Sequence, residues 1–208
     1  MKRLLGLCIV LFVLSSCAPP KSDQPLSDPA QAAADPALSG LWIAERKKDE
    51  TDLVYLHAAP RKDGWTDLEL VTHDERGITT EQFEMFPTTL EQKQIMNIRN
   101  KAAKPAEGAA QAPSARYFFA RYVLKKKDEL NLWLMDNDAA TEAVEKGRVK
   151  GKVEKTGKIK VEGKVKEITD TTVVFQDTTE NLAKFVKAAE TFKLFSGDPM
   201  RFRRVPAR

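Results

Sequence analysis

The sequence predicts a mainly β protein, an antiparallel meander curled into a barrel or half barrel with two short helices. Short runs of alternating apolar and polar residues recur from Leu38 to Val205, the period-2 signature of half-buried strands. Compact turn signals separate them, among them Pro60-Arg61-Lys62-Asp63-Gly64, Asp74-Glu75-Arg76-Gly77 and Lys125-Lys126-Lys127-Asp128-Glu129, and short turns join antiparallel neighbours. Two stretches carry helical rather than strand signals: Ala139 to Lys146, and the run bearing Leu182, Phe185, Val186 and Ala189, whose spacing makes one apolar stripe.

The first strand is Leu38 to Glu45, entered through Gly40, and the second is Asp52 to Ala58. Trp65 to His73 alternates Leu68 and Leu70 against Asp67 and Glu69; Ile78 to Phe86 sets Phe83 and Met85 on one face and Gln82 and Glu84 on the other, with Pro87 ending it. Thr89 to Asn100 reads two ways, as a helix over Leu90-Glu91-Gln92 capped by Thr88 or Thr89, or as a strand alternating Ile95, Asn97 and Arg99 against Met96 and Ile98. A strand over Gln94 to Arg99 is the stronger pattern. Asn100 to Ala115 contains Pro105 and Pro113 and no large apolar side chain, which predicts a mobile surface loop. Arg116 to Leu124 and Leu130 to Met135 make the strongest hairpin, expected at the centre of the sheet. Asp136-Asn137-Asp138 then offers caps for the first helix and Gly147 its stop. Val149 to Ile168 alternates Val and Ile with Lys around a turn at Thr156-Gly157, and Thr171 to Phe175 follows. Asp177-Thr178-Thr179-Glu180 resembles a capping box for the second helix, and Leu194, Phe195 and Met200 to Val205 close the domain in a last strand.

The N-terminus carries a different kind of signal. Lys2 and Arg3 precede an apolar run from Leu4 to Leu14, too short to span a bilayer permanently, and small Ser15 and Ser16 follow; this is a signal peptide, 1–16. Leu14-Ser15-Ser16-Cys17 resembles the lipobox of bacterial lipoproteins. The resemblance implies acylation of Cys17, cleavage before it by signal peptidase II, and anchoring of the mature chain by lipid. Ala18, in the position where Asp favours inner-membrane retention in that family, implies the periplasmic face of the outer membrane. Residues 17–37 hold Pro19, Pro20, Pro25, Pro29 and Pro36 with Leu26 as their one large apolar side chain before Leu38. That composition predicts a disordered tether of about 25 Å reach, with the β-rich domain covering 38–208.

Gly40-Leu41-Trp42 in the first strand, with Arg203 and Arg204 in the last, is similar to the lipocalin and calycin arrangement. There a Gly-x-Trp strand opens the barrel and a late basic residue packs over the Trp. The resemblance implies a lipocalin-like barrel.

Composition narrows the chemistry. The chain has 34 Lys and Arg, 30 Asp and Glu and a formal charge of +4. Loss of the signal leaves it nearly neutral, with no charge signature of nucleic-acid binding. Cys8 leaves with the signal, so Cys17 is the one cysteine of the mature chain, which excludes an internal disulfide, a cysteine zinc site and a catalytic thiol. His57 and His73, the two histidines, stand at no metal-ligand spacing. No Gly-rich phosphate loop and no Gly-x-Ser-x-Gly elbow occurs, and the carboxylates scatter through turns. The expectation is a protein that is not an enzyme and takes no cofactor or metal.

Two patches remain. Lys150, Lys152, Lys158, Lys160, Lys164 and Lys166 lie in a stretch where basic residues outnumber acids, fit to meet an anionic surface or simply to solvate a strand face. Trp42, Tyr55, Phe118, Tyr122 and Trp133, with Trp65, line a ligand cavity or fill a core. The expected function is a lipid-anchored, non-catalytic binding or structural module of the cell envelope, its partner an envelope protein or glycan. The alternative is a lipocalin-like carrier of a small apolar molecule.

Overall fold

Eight antiparallel strands close a barrel in a computed structural model that describes residues 19–46, 51–101, 116–156, 159–161, 164–166, 170–188 and 191–206. The expected signal peptide, 1–16, Cys17, Ala18, Gly157, Lys158 and residues 102–115 of the expected loop lie outside the described residues, as do the side chains of Lys160, Lys164 and Lys166.

The barrel strands are β2 (Gly40–Ala44), β3 (Leu53–Pro60), β4 (Thr66–Asp74), β5 (Gly77–Leu90), β6 (Lys93–Asn100), β7 (Tyr117–Lys125), β8 (Glu129–Leu134) and β13 (Met200–Arg204). Each pairs with the next in sequence, and β13 lies between β8 and β2, so that first and last strands close the circle with Arg204 opposite Trp42. Closure removes the free edges that an open sheet exposes. Between β8 and β13 the chain inserts α1 (Asn137–Glu145), β9 (Gly151–Thr156), β10 (Ile159–Val161), β11 (Lys164–Lys166), β12 (Asp170–Phe175), α2 (Thr179–Lys187) and the single turn α3 (Thr191–Leu194). Both nine-residue helices start at the caps the sequence offers. The Asp136 carboxylate accepts from the Ala139 amide at 2.7 Å and the Thr178 hydroxyl from the Asn181 amide at 3.3 Å, which satisfies N–H groups the helix itself leaves unpaired.

Alternation along the strands creates two cores. Trp42, Leu56, Leu68, Met85, Met96, Ile98, Ala120, Tyr122, Leu130 and Phe202 face into the barrel. Phe86, Leu90, Ile95, Tyr117 and Phe119 face outward from β5, β6 and β7, where Leu182 and Val186 of α2, Ala140 and Ala143 of α1, and Val173 and Phe175 of β12 cover them. The wall between the two cores is apolar on both faces, so those strands read as dense apolar runs rather than clean alternation.

The structure departs from the sequence reading at three places and decides between two readings at a fourth. Residues 19–38 are part of the fold, not a free tether. Here β1 (Lys21–Ser22) pairs on one side with β7 and on the other with β12, Leu26 joins the outer core and Leu38 the inner one. Composition missed this because a Pro-rich segment donates few backbone hydrogen bonds of its own, yet can be held by partners far along the chain. Asn97 supplies one such partner: its fully buried side-chain oxygen accepts from the Leu26 amide at 2.7 Å, while its amide nitrogen donates to Phe86 O at 3.2 Å and Thr88 Oγ1 at 2.7 Å. Pro87 does not end its strand. The pairing of β5 with β4 stops at Met85, so Pro87 lies where β5 has a ladder on one side alone, opposite Met96, and a missing N–H is tolerated there. Of the two readings of Thr89 to Asn100, the favoured strand forms as β6 and the helix over Leu90 to Gln92 does not: Leu90 and Lys93 close a two-residue hairpin with Glu91 at φ 58°. Finally, β9 pairs with β12, Thr156 opposite Asp170, while β10 and β11 pair with each other, so Thr156 does not turn directly into a partner strand.

Candidate functional site

Among the described residues, one end of the barrel is sealed and the other presents exposed apolar side chains. At the sealed end, where β2 begins, buried Leu38 plugs the interior and the fully buried Trp42 donates its indole N–H to Leu38 O at 2.9 Å. The Arg204 guanidinium lies 4.1 Å from the Trp42 ring centre, a cation–π contact. It donates to the carbonyl oxygens of Ala37 at 2.5 Å, Lys127 at 2.9 Å and Ser39. Gly40 is needed beside it: φ is +122°, and a Cβ would stand 3.0 Å from an Arg204 nitrogen. Buried Tyr122 completes the seal by donating its hydroxyl to Asp35 Oδ2 at 3.0 Å. Burial first, then the Asp35 charge and hydrogen bond, push the Tyr122 hydroxyl well above its ordinary pKa, so it remains a donor at any physiological pH. Outside this seal a depression of about 300 Å³ is lined by Asp35, Gln92, Lys93, Gln94, Arg121, Tyr122, Val123 and Leu124.

At the opposite end, among the described residues, the inward-facing apolar side chains grade from buried to exposed, and register puts the polar Thr72, Glu81 and Asn100 on the same inner face, opposite Val54, Leu70 and Phe83. Val54, Leu70, Phe83 and Phe118 pack half-buried on the inner core, with Phe83 and Phe118 edge-to-face at 5.8 Å between ring centres. Beyond them Leu134 is 37% exposed and Met200 41%. Their inward orientation follows from register, since Leu134 stands opposite Ala120 and Met200 opposite Leu132, both inner-core residues, and directly opposed residues share a face. The result, among the described residues, is a shallow cup of apolar side chains with a polar rim, over a packed floor.

Of the aromatic candidates, Trp42, Tyr122 and Phe118 point into the barrel, the first two in the seal and Phe118 in the cup. Tyr55 lies between inward-facing Val54 and Leu56 and so faces outside. Trp133 is also outside, with the Arg121 guanidinium 4.8 Å from its ring. Trp65 belongs to the outer core, 4.8 Å from Phe86 and beneath Arg99 at 4.3 Å. The six are therefore not one cavity wall. Val54, Leu70, Phe83, Leu134 and Met200, which line the cup, were not singled out from sequence; their alternation is visible there, but which face closes inward is not. Lys150 and Lys152 are exposed, as are His57 and His73. Among the described residues no group of three or more His, Cys, Asp and Glu could hold a metal ion, and no helix is long and apolar enough to cross a membrane.

The outer wall beside the cup is tied by charge. Asp67, Glu84, Arg99 and Tyr117 stand opposite one another across β4 to β7. Glu84 accepts from Arg99 at 2.6 Å and from Arg61 at 3.1 Å, and Lys101 meets Asp67 at 2.9 Å. The row is balanced internally and offers no convergent reactive groups.

Geometry here stands alone, because the chain matches no family model, no curated protein and no solved structure.

Proposed function

We propose that this chain is an envelope lipoprotein, anchored through Cys17 at the periplasmic face of the outer membrane, whose barrel binds a small apolar molecule in its open end without transforming it. One observation carries the binding half: among the described residues, inward-facing apolar side chains at one end of the barrel run from buried to exposed, ending in Phe118, Leu134 and Met200. Water contacts these groups at a cost of roughly 25 cal/mol per Å², so an apolar ligand gains by covering them. The lipocalin-like reading of the barrel is supported by Arg204 over Trp42. The anchoring half rests on the lipobox, and Cys17→Ser is expected to leave an uncut, unacylated precursor; processing and membrane retention of that variant would overturn it.

A second reading, an interaction module for an envelope protein, is favoured by Ile78, 71% exposed at the β4–β5 turn, and by Leu41, 39% exposed on the barrel wall. Native mass spectrometry of the mature chain, mildly extracted from its own source, separates the two. A reproducible bound mass in the range of lipids or small metabolites supports the carrier. A clean ligand-free mass, with a protein crosslinked at Ile78 or Leu41, overturns it in favour of the interaction module.

A further inference from the structure

The way residues 19–38 are held bears on how the anchor presents the fold. Pro20 is buried, the Ser22 side chain is fully buried, and Lys21 and Ser22 are paired on both sides, with Phe118 and Tyr117 of β7 and with Val174 and Phe175 of β12. The Asp23 amide continues the ladder to Phe175 O at 3.1 Å, and the Asp23 carboxylate meets Arg116 at 3.0 Å. The segment then crosses the outer wall, with the Leu26 amide on Asn97 and Ser27 Oγ 2.5 Å from Thr88 Oγ1. It passes Gly64, where a Cβ would strike the Ala32 carbonyl, and ends in the Leu38 plug. Slack in a tether has to come from residues without partners, and these have them.

We infer that the fold sits directly on the bilayer, with the β1–β12–β9 edge and the adjacent open end of the barrel at the level of the lipid headgroups. The inference rests on the lipoprotein reading of Cys17. Lys21 is four residues on from Cys17, a reach of at most about 14 Å, against about 25 Å for a free tether of twenty residues. Lys21 stands directly opposite Phe118, a wall residue of the cup, so the anchor attaches beside the open end and not beside the seal. Lys21 and Lys152 are both exposed and stand in one cross-strand row on either side of Val174, about 10 Å apart. This places two ammonium groups within reach of phosphate oxygens. The occupant of this surface is thus the anionic headgroup layer of the membrane that holds the lipid.

The test uses the full acylated protein in vesicles of phosphatidylethanolamine and phosphatidylglycerol carrying a headgroup-linked quencher. Acylation blocks Cys17, so one introduced cysteine is the sole reactive thiol, and a dye is placed at Lys152→Cys or, as the comparison, at Lys125→Cys. Lys125 is exposed and lies seven residues along β7 from Phe118, about 23 Å away. Quenching several-fold greater at position 152 than at 125 is expected, and a flexible Gly/Ser insert of about twenty residues between Ala18 and Pro19 should abolish the difference. Equal quenching at the two positions in a protein whose intact mass shows acylation overturns the inference and leaves the lipoprotein reading standing. An unacylated Cys17 overturns both.

Discussion

Asn97 shows how a single buried polar side chain fixes the path of a distant segment. It is fully buried and satisfied on both sides of its amide, by Leu26 across 71 residues of sequence and by Phe86 and Thr88 on the neighbouring strand. Asn97→Ala leaves the buried Leu26 amide N–H without its acceptor and takes a donor from Phe86 O and Thr88 Oγ1, so a loss of about 2–3 kcal/mol is expected in urea unfolding. Asp177 is a second fixed point, its carboxylate accepting from the amides of Lys150 and Thr178 and from the Asn181 side chain, each at 2.8–2.9 Å. These bonds, the Lys150 amide first, hold its carboxyl below the ordinary carboxylate value. A lowered folded pKa gives stability that is present above the unfolded value of about 3.9 and lost as pH falls through the folded one. Asp177→Ala should therefore cost about 1–2 kcal/mol at neutral pH. The deficit should shrink below about pH 4, as read by thermal unfolding at several pH values; a pH-independent deficit would count against the ionised role. Gly64, at φ +84° against the Ala32 carbonyl, admits no side chain, and Gly64→Ala should be among the most damaging small changes in the protein.

At the scale of elements, the segment from Pro19 to Leu38 acts as a strap that joins the two cores. Leu26→Ala removes a nearly fully buried side chain from the outer core, with an expected loss of about 2–4 kcal/mol. Hydrogen exchange checks the same claim without mutation. The amides of Ser22, Asp23 and Leu26 should exchange as slowly as those of β7, whereas a free tether would exchange them at once. A chain beginning at Leu38, the boundary composition points to, would lose β1 and Leu26 and is expected to unfold at markedly lower urea than the chain beginning at Cys17. The barrel hairpins, by contrast, were legible in advance. Tyr117–Lys125 and Glu129–Leu134 fall within a residue or two of their expected bounds, because strand alternation and turn residues are local signals. The cup was not legible. Phe118 and Phe119 are adjacent and equally aromatic, yet one lines the barrel and the other the outer core, and no local feature says which.

Among the described residues the barrel is sealed at one end by the N-terminal segment and carries exposed apolar side chains at the other, beside the place where that segment enters the fold. This arrangement makes the two ends unequal in what they should bind. Met200→Glu and Leu134→Glu replace exposed cup residues, so the fold should survive with little change in melting temperature while affinity for an apolar fluorescent probe falls about tenfold or more, the equivalent of 1.4 kcal/mol. Tyr55→Ala and Lys125→Ala, on the outer wall and the far hairpin, should leave probe binding unchanged. Equal loss from the outer-wall variants would mean that the probe reads general surface and not the cup.

By itself the sequence determined the class of fold, the positions of most strands and both helix caps, because each depends on residues close in sequence or on a strand's own period. The tertiary structure alone decided which face of each strand closes inward, that Tyr55 and Trp133 stand outside, and that a Pro-rich stretch is bound. Those outcomes depend on register and on partners such as Leu26 with Asn97 or Trp42 with Arg204. Contacts of that range exist only after the barrel has closed, and a segment with few hydrogen bonds of its own then gains order from the surface it covers.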